Sequence, residues 1–196
     1  MLFIWGDSSR RFKDGSAAKD DLNKFYLDVL YSNIDRTLVT NSKLQSFYGL
    51  GLKGFELISC QFSIHYFFES VVKLNIFLKN ISENLTINGK FIGTCLDGKK
   101  VFELLKDKDT LSNYKGKNEL LWKIVKKYDQ DELLNNDSSI NLPIDVYVNS
   151  IGKTTTEWLV NIDYLSSKCQ EFGMRLVKKE SFEDIFESQI KKNKIK

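Results

Sequence analysis

The sequence predicts an α/β fold built on a parallel sheet, and three observations carry that expectation. Phe55 to Cys60 is nearly continuous apolar sequence, the pattern of a strand covered on both faces. Val71 to Leu85 then places Val71, Leu74, Phe77, Leu78, Ile81 and Leu85 on one helical face. Lys90 to Thr94 follows as a second strand, after an Asn88-Gly89 pair that tolerates positive φ and marks the expected end of the helix. Strand, helix and strand at this spacing form a βαβ unit, so the two strands are expected to run parallel.

The remaining elements follow in order. Leu2 to Trp5 reads as a short buried strand, placed inside a sheet and entering the turn Gly6-Asp7-Ser8-Ser9. Ala17 to Tyr31 repeats Ala18, Leu22, Phe25, Tyr26, Val29 and Leu30 at helical spacing. Thr37 to Gly54 has no clear period, and Gly49, Gly51 and Gly54 mark turns. Lys99 to Leu105 predicts a short helix. Leu121 to Tyr128 and Ile144 to Val148 predict an antiparallel hairpin joined by the polar loop Asp129 to Asn141. Thr156 is expected to cap a helix from Glu157 to Phe172, with Trp158, Leu159, Ile162 and Leu165 inward and Gly173 as its stop. Met174 to Lys178 predicts a strand, and Phe182 to Ile190 a terminal amphipathic helix. Residues 1–196 are expected to form a single domain. The order of elements alone suits many doubly wound folds.

Composition narrows the function classes. At 196 residues, with 42% hydrophobic and 13% aromatic content, the chain suits one globular core. A net charge of +3 permits contact with a polyanion without announcing one. The three cysteines, Cys60, Cys95 and Cys169, stand far apart and offer no zinc spacing, so no metal is expected. With no secretory signal, they point to a reducing, intracellular compartment. No apolar run is long enough to span a membrane.

Candidate chemistry gathers at three places. Gln61, Phe62, His65 and Tyr66 lie just past a strand's carboxyl end, where open α/β sheets bind ligands. His65 is the only histidine, and by itself a lone imidazole beside apolar residues is most often a packed side chain. Asp7 follows the first predicted strand, where an aspartate is ordinarily a turn former or a cap. Glu157 opens a predicted helix, and a carboxylate is favourable in any first turn. Lys99-Lys100 and the Lys191 to Lys196 run could meet phosphates, although such runs are usually solvated surface.

Together these segments resemble a known family. Cys60-Gln61-Phe62, His65-Tyr66 and Phe68-Glu69-Ser70, then a helix, then Gly89-Lys90-Phe91-Ile92-Gly93-Thr94, occur in the order found in messenger-RNA cap guanine-(N-7) methyltransferases. Phe172 to Val177 with Ser181-Phe182 extends the likeness over nearly all of the chain. The resemblance implies a class I (Rossmann-like) S-adenosylmethionine-dependent methyltransferase sheet carrying the hairpin as an insertion. It implies methyl transfer from S-adenosylmethionine to the cap guanine during mRNA capping. Asp7, Gln61 and Tyr66 would contact the donor, and His65, Tyr66 and Glu157 the guanine. It further implies the 5′ end of capped RNA as partner, in the nucleus or in a cytoplasmic viral factory.

The likeness is to the carboxyl-terminal portion of the domain. The family's amino-terminal strand and Gly-rich donor loop do not occur before Leu2, and a cap-contacting tyrosine is expected beyond Lys196. Cys95-Leu96 stands where the family has a proline after Gly-Thr. An amino-terminal half, or the remainder of a capping enzyme, is therefore an expected partner. Two other readings stay open: a non-catalytic, partner-binding subunit that keeps the fold, and a methyltransferase for a different substrate.

Overall fold

A computed structural model describes residues 1–193 of the chain. Its centre is the expected unit: β1 (Phe55–Gln61), α3 (Val71–Asn84) and β2 (Leu85–Thr94). β1 and β2 pair in parallel, with Leu57 opposite Lys90, Ser59 opposite Ile92 and Gln61 opposite Thr94. The Ser70 hydroxyl caps α3 by accepting from the Lys73 amide. Leu74, Phe77, Leu78 and Ile81 bury one face of this helix against Ile58, Cys60 and Phe91 of the sheet. Phe77 stacks on Phe67 with ring centroids 3.7 Å apart.

Two expectations at this unit change. The helix ends at Asn84, four residues before Asn88, and the strand runs on through Asn88-Gly89. Asn88 adopts φ 65° within the strand, close to where its register shifts. The strand is also not covered on both faces. Side chains alternate across a sheet, and only the Ile58/Cys60 face meets α3. On the other face Leu57 is 56% and Ile92 47% exposed.

Before this unit lie α1 (Asp21–Leu30), capped by Asp20, and the single-turn α2 (Ser42–Gln45). Leu2 to Trp5 is not a strand. Its neighbour Gly6 makes one isolated bridge to Ala18, while the Trp5 amide is taken by the Asn23 side chain and its carbonyl by the Lys19 amide. The start of α1 thus satisfies backbone groups that a sheet would otherwise use.

After β2 comes α4 (Gly98–Leu104), then an antiparallel sheet in the order β3 (Thr110–Lys115), β4 (Glu119–Lys126), β5 (Pro143–Val148), β6 (Thr154–Trp158). The predicted hairpin is its middle pair. β3 and β6 escape a hydrophobicity reading because TLSNYK and TTTEW are polar, with threonine supplying the β preference. Val101, Phe102 and Leu105 pack under this sheet against Ile124, Ile144, Val146 and Leu159.

The expected helix from Glu157 is instead α5 (Ile162–Glu171), capped by Asn161 rather than Thr156. Buried Asn161 also donates to the Leu134 carbonyl and to Asn135, tying the loop between β4 and β5 to the helix start. Met174 to Lys178 forms no strand, and Phe182–Asn193 is α6. Residues 194–196 of the basic tail lie outside the described residues. Among the described residues no helix is long and apolar enough to cross a membrane.

Gly98 ties the start of α4 to the segment that follows β6. Its amide donates to the Val160 carbonyl at 3.1 Å, and a Cβ there would lie 2.5 Å from that oxygen. Both neighbours are backbone, so neither yields by a rotamer change. Gly98→Ala should therefore cost about 1–3 kcal/mol by overpacking. Urea unfolding should show a lower midpoint with an unchanged slope; an unchanged midpoint would mean that α4 is not pinned there.

Candidate functional site

The site begins where β1 ends. Phe62 takes φ 52°, and its amide is held at 2.9–3.0 Å by the hydroxyl and carbonyl oxygens of Thr94, at the end of β2. The left-handed residue swings the chain off the sheet into a 3-10 turn, Ile64–Glu69. At three residues per turn, positions i and i+3 share a ridge. Ile64 with Phe67, and His65 with Phe68, therefore turn inward, while Tyr66 stays 47% exposed. Gly93 lets this turn sit down on β2, since a Cβ there would fall 2.5 Å from Ile64 Cδ1. The Asn141 amide donates to the Phe68 carbonyl, bringing the inserted sheet to the same place.

Glu157 reaches the site from β6, which packs against the turn. It faces Ile144 across the strand pair. It is a strand residue and not the first turn of a helix, so the helix-dipole account of this glutamate does not apply. Its Oε2 lies 3.7 Å from His65 Nδ1, although the two residues are 92 positions apart. That is too long for a hydrogen bond. Thr155 Oγ1 donates a long hydrogen bond to Oε1 at 3.5 Å. Burial pushes the Glu157 carboxyl up from its ordinary value, with Thr155 pulling weakly the other way. Burial also pushes the His65 imidazole down. His65 Nε2 is buried with no partner among the described residues. The Tyr66 ring lies beside the imidazole, centroids 4.2 Å apart at 54°.

The structure thus joins His65, Tyr66 and Glu157. It does not join Asp7 or Gln61 to them by any hydrogen bond or ion pair among the described residues. Gln61 stands exposed at the end of β1 and donates to Ser59 Oγ at 2.8 Å. Asp7 accepts from the Ser9 amide and hydroxyl at 2.9 and 2.6 Å, with Lys19 at 3.7 Å. Those Ser9 bonds, opposed by burial and helped by Lys19, hold its carboxyl below the ordinary value. Asp7 is therefore an ionised acceptor at neutral pH. Phe62 was expected in this cluster, and Thr155 was not. The Thr154-Thr155-Thr156 run was the available signal for a strand. Lys99 pairs loosely with Asp163 at 4.0 Å. A hollow of about 220 Å³ between Phe102, Lys106, Lys126 and Tyr128 lies elsewhere and holds none of the predicted residues.

Residues 6–196 match the mRNA (guanine-N(7))-methyltransferase domain. The chain belongs to this family. It is 30% identical over 154 residues to a probable mRNA-capping enzyme of Acanthamoeba polyphaga mimivirus, covering 74% of this chain and 13% of that protein. It is 29% identical over 140 residues to an mRNA cap guanine-N(7) methyltransferase of Candida albicans, covering 70% and 30%. A third relative, from Meyerozyma guilliermondii and of the same name, is 27% identical over 188 residues, 91% of this chain and 32% of that protein. The chain therefore spans a third or less of the length of these curated relatives. The mixed α/β architecture agrees with a methyltransferase fold of this family.

In this methyltransferase-family chain the under-paired Glu157 has a consequence for stability. Its carboxyl binds a proton more tightly folded than unfolded, so stability present below the unfolded value is lost as pH rises through the folded one. Glu157→Gln removes that buried charge and should stabilise the protein at pH 7–8 by about 1 kcal/mol. The gain should shrink as pH falls toward 4. Thermal melts of both proteins across that range check it; a loss of stability at pH 8 would show that the ionised carboxylate is well paired after all.

Proposed function

We propose that this chain forms the guanine-recognising side, and part of the donor side, of an mRNA cap guanine-N7 methyltransferase acting on the 5′ end of capped RNA. The observation that carries the proposal is a half-buried carboxylate, Glu157, whose one hydrogen bond is long, held beside an imidazole whose buried Nε2 has no partner among the described residues. Guanine's base-pairing edge presents an imino and an amino hydrogen side by side, which is what two carboxylate oxygens accept. Adenine lacks that pair of donors. Such a ligand would relieve the desolvated charge, and the preference for guanine follows from leaving that charge unpaired otherwise.

The donor residues suit an S-adenosyl group. Asp7 offers an ionised acceptor for an exocyclic amine, and Gln61 and Tyr66 are exposed polar groups at the carboxyl end of β1. When bound, S-adenosylmethionine supplies an activated methyl on its sulfonium. The N7 lone pair of guanine is free, so no residue need act as a general base. The work left to this chain is alignment by His65, Tyr66 and Asp7. Glu157 adds electrostatic support as positive charge develops on the purine. The mimivirus and yeast relatives are named for capping, and the remainder of a capping enzyme is the partner this reading expects. It would act where capping occurs, in a nucleus or a cytoplasmic viral factory.

A partner-binding, non-catalytic role is the second reading, and the uncovered Leu57/Ile92 face favours it. One pair of measurements separates them: methyl transfer to a cap analogue, and affinity for the donor. Glu157→Gln should lower transfer by the equivalent of about 2–4 kcal/mol while donor affinity hardly changes. Equal transfer by wild type and variant would end the guanine reading. No transfer by either protein, with no donor binding, would favour the partner-binding role.

A further inference from the structure

The hidden back of α3 carries polar groups that the proposed chemistry does not use. Asn80 is 3% exposed, yet every polar atom of its amide is engaged with the segment after Asp7. Its Nδ2 donates to the carbonyls of Ser8 at 3.2 Å and Arg10 at 2.7 Å, and its Oδ1 accepts from the Phe12 amide at 3.3 Å. These bonds span 68–72 positions of sequence and take alternate residues of one loop. One turn further along α3, Glu83 pairs with the Arg11 guanidinium of that loop. Asn84 completes the ridge: it donates to the Asn80 carbonyl and accepts from the Tyr31 hydroxyl, both at 2.7 Å.

We propose that Asn80 is the positioning residue for Asp7, clamping the loop so that the carboxylate is presented at a fixed place. The inference rests on the reading of Asp7 as the acceptor for the donor's adenine amino group. The loop begins one peptide after Asp7, and Asn80 fixes its first, third and fifth residues. Only a primary amide supplies two donors and one acceptor from one short side chain. A leucine of similar size would leave the Ser8 and Arg10 carbonyls and the Phe12 amide short of partners. Asp7's own contacts, its side chain with Ser9 and Lys19 and its backbone with Ala17 and Arg10, shape the turn but do not tie it to the βαβ unit.

The test is a double-mutant cycle on the full chain, reading affinity for S-adenosylhomocysteine by calorimetry and for a guanosine cap dinucleotide as an internal control. Asn80→Ala should weaken S-adenosylhomocysteine about tenfold, the size of one or two lost hydrogen bonds. Cap affinity should hold, and in an Asp7→Ala background the same change should add less than about twofold. An equal effect in both backgrounds, or a parallel fall in cap affinity, would mean a purely structural role and overturn the proposal. If Asp7→Ala weakens the ligand and Asn80→Ala does not, the clamp fails while the Asp7 reading stands. If Asp7→Ala has no effect, the Asp7 reading fails and takes the clamp with it. Should Asn80→Ala not fold, Asn80→Ser is measured instead. Its hydroxyl is neutral and places no charge against the Ser8 and Arg10 carbonyls, it cannot make all three bonds, and the same outcomes decide.

Discussion

The structure depends on how α3 is seated. Its apolar face, Leu74, Phe77, Leu78 and Ile81, closes the core over β1 and β2, each side chain contributing about 1.5–3 kcal/mol of burial. That term exceeds the small helix-propensity penalty of placing Asn80 and Asn84 in the same helix. The apolar face therefore decides that the helix forms and where it lies. The polar ridge then decides what else is attached to it: the loop after Asp7 and, through Tyr31, the end of α1. A single helix thus connects the strand that leads into the His65–Glu157 pair with the loop that follows Asp7.

The site sits at the junction of the two sheets. One wall is the turn that leaves β1 through Phe62. The other is β6, the edge of the antiparallel sheet. Close contacts frame these walls: Gly98 against the Val160 backbone, the Asn141 amide on the Phe68 carbonyl, and Gly93 beneath the Ile64 side chain. Such contacts are suited to a centre whose working parts must not drift, because catalysis by alignment falls steeply with misplacement. The buried pair they enclose is energetically poor. Glu157 and His65 are both pushed toward their neutral forms and neither is well bonded. A stable core would not keep such a pair, and sites that bind polar ligands commonly give up stability in this way.

The uncovered face of β1 and β2 belongs to the same picture. Parallel sheets are ordinarily buried on both faces, yet Leu57 and Ile92 here are open while the α3 side is fully packed. The mimivirus, Candida albicans and Meyerozyma guilliermondii relatives are three or more times as long as the stretch they share with this chain.

The sequence by itself determined the βαβ unit. An apolar run and a 3.6-residue period are local signals, and both favour the same elements. The candidate residues Gln61, His65 and Tyr66 could be grouped for a related reason, since they lie within six residues, at the end of β1 and in the turn after it. Tertiary structure alone decided the rest. Leu2 to Trp5 has the apolar look of a strand, but its backbone bonds go to Lys19 and Asn23. Thr154–Trp158 has no hydrophobic period, and it becomes a strand because β5 offers a partner. Glu157 consequently moved from an expected helix start to a sheet edge, and only that pairing carries its carboxylate to His65. Strand partners, and the carbonyls that Asn80 reaches, are chosen across tens of residues, where periodicity and capping patterns hold no information.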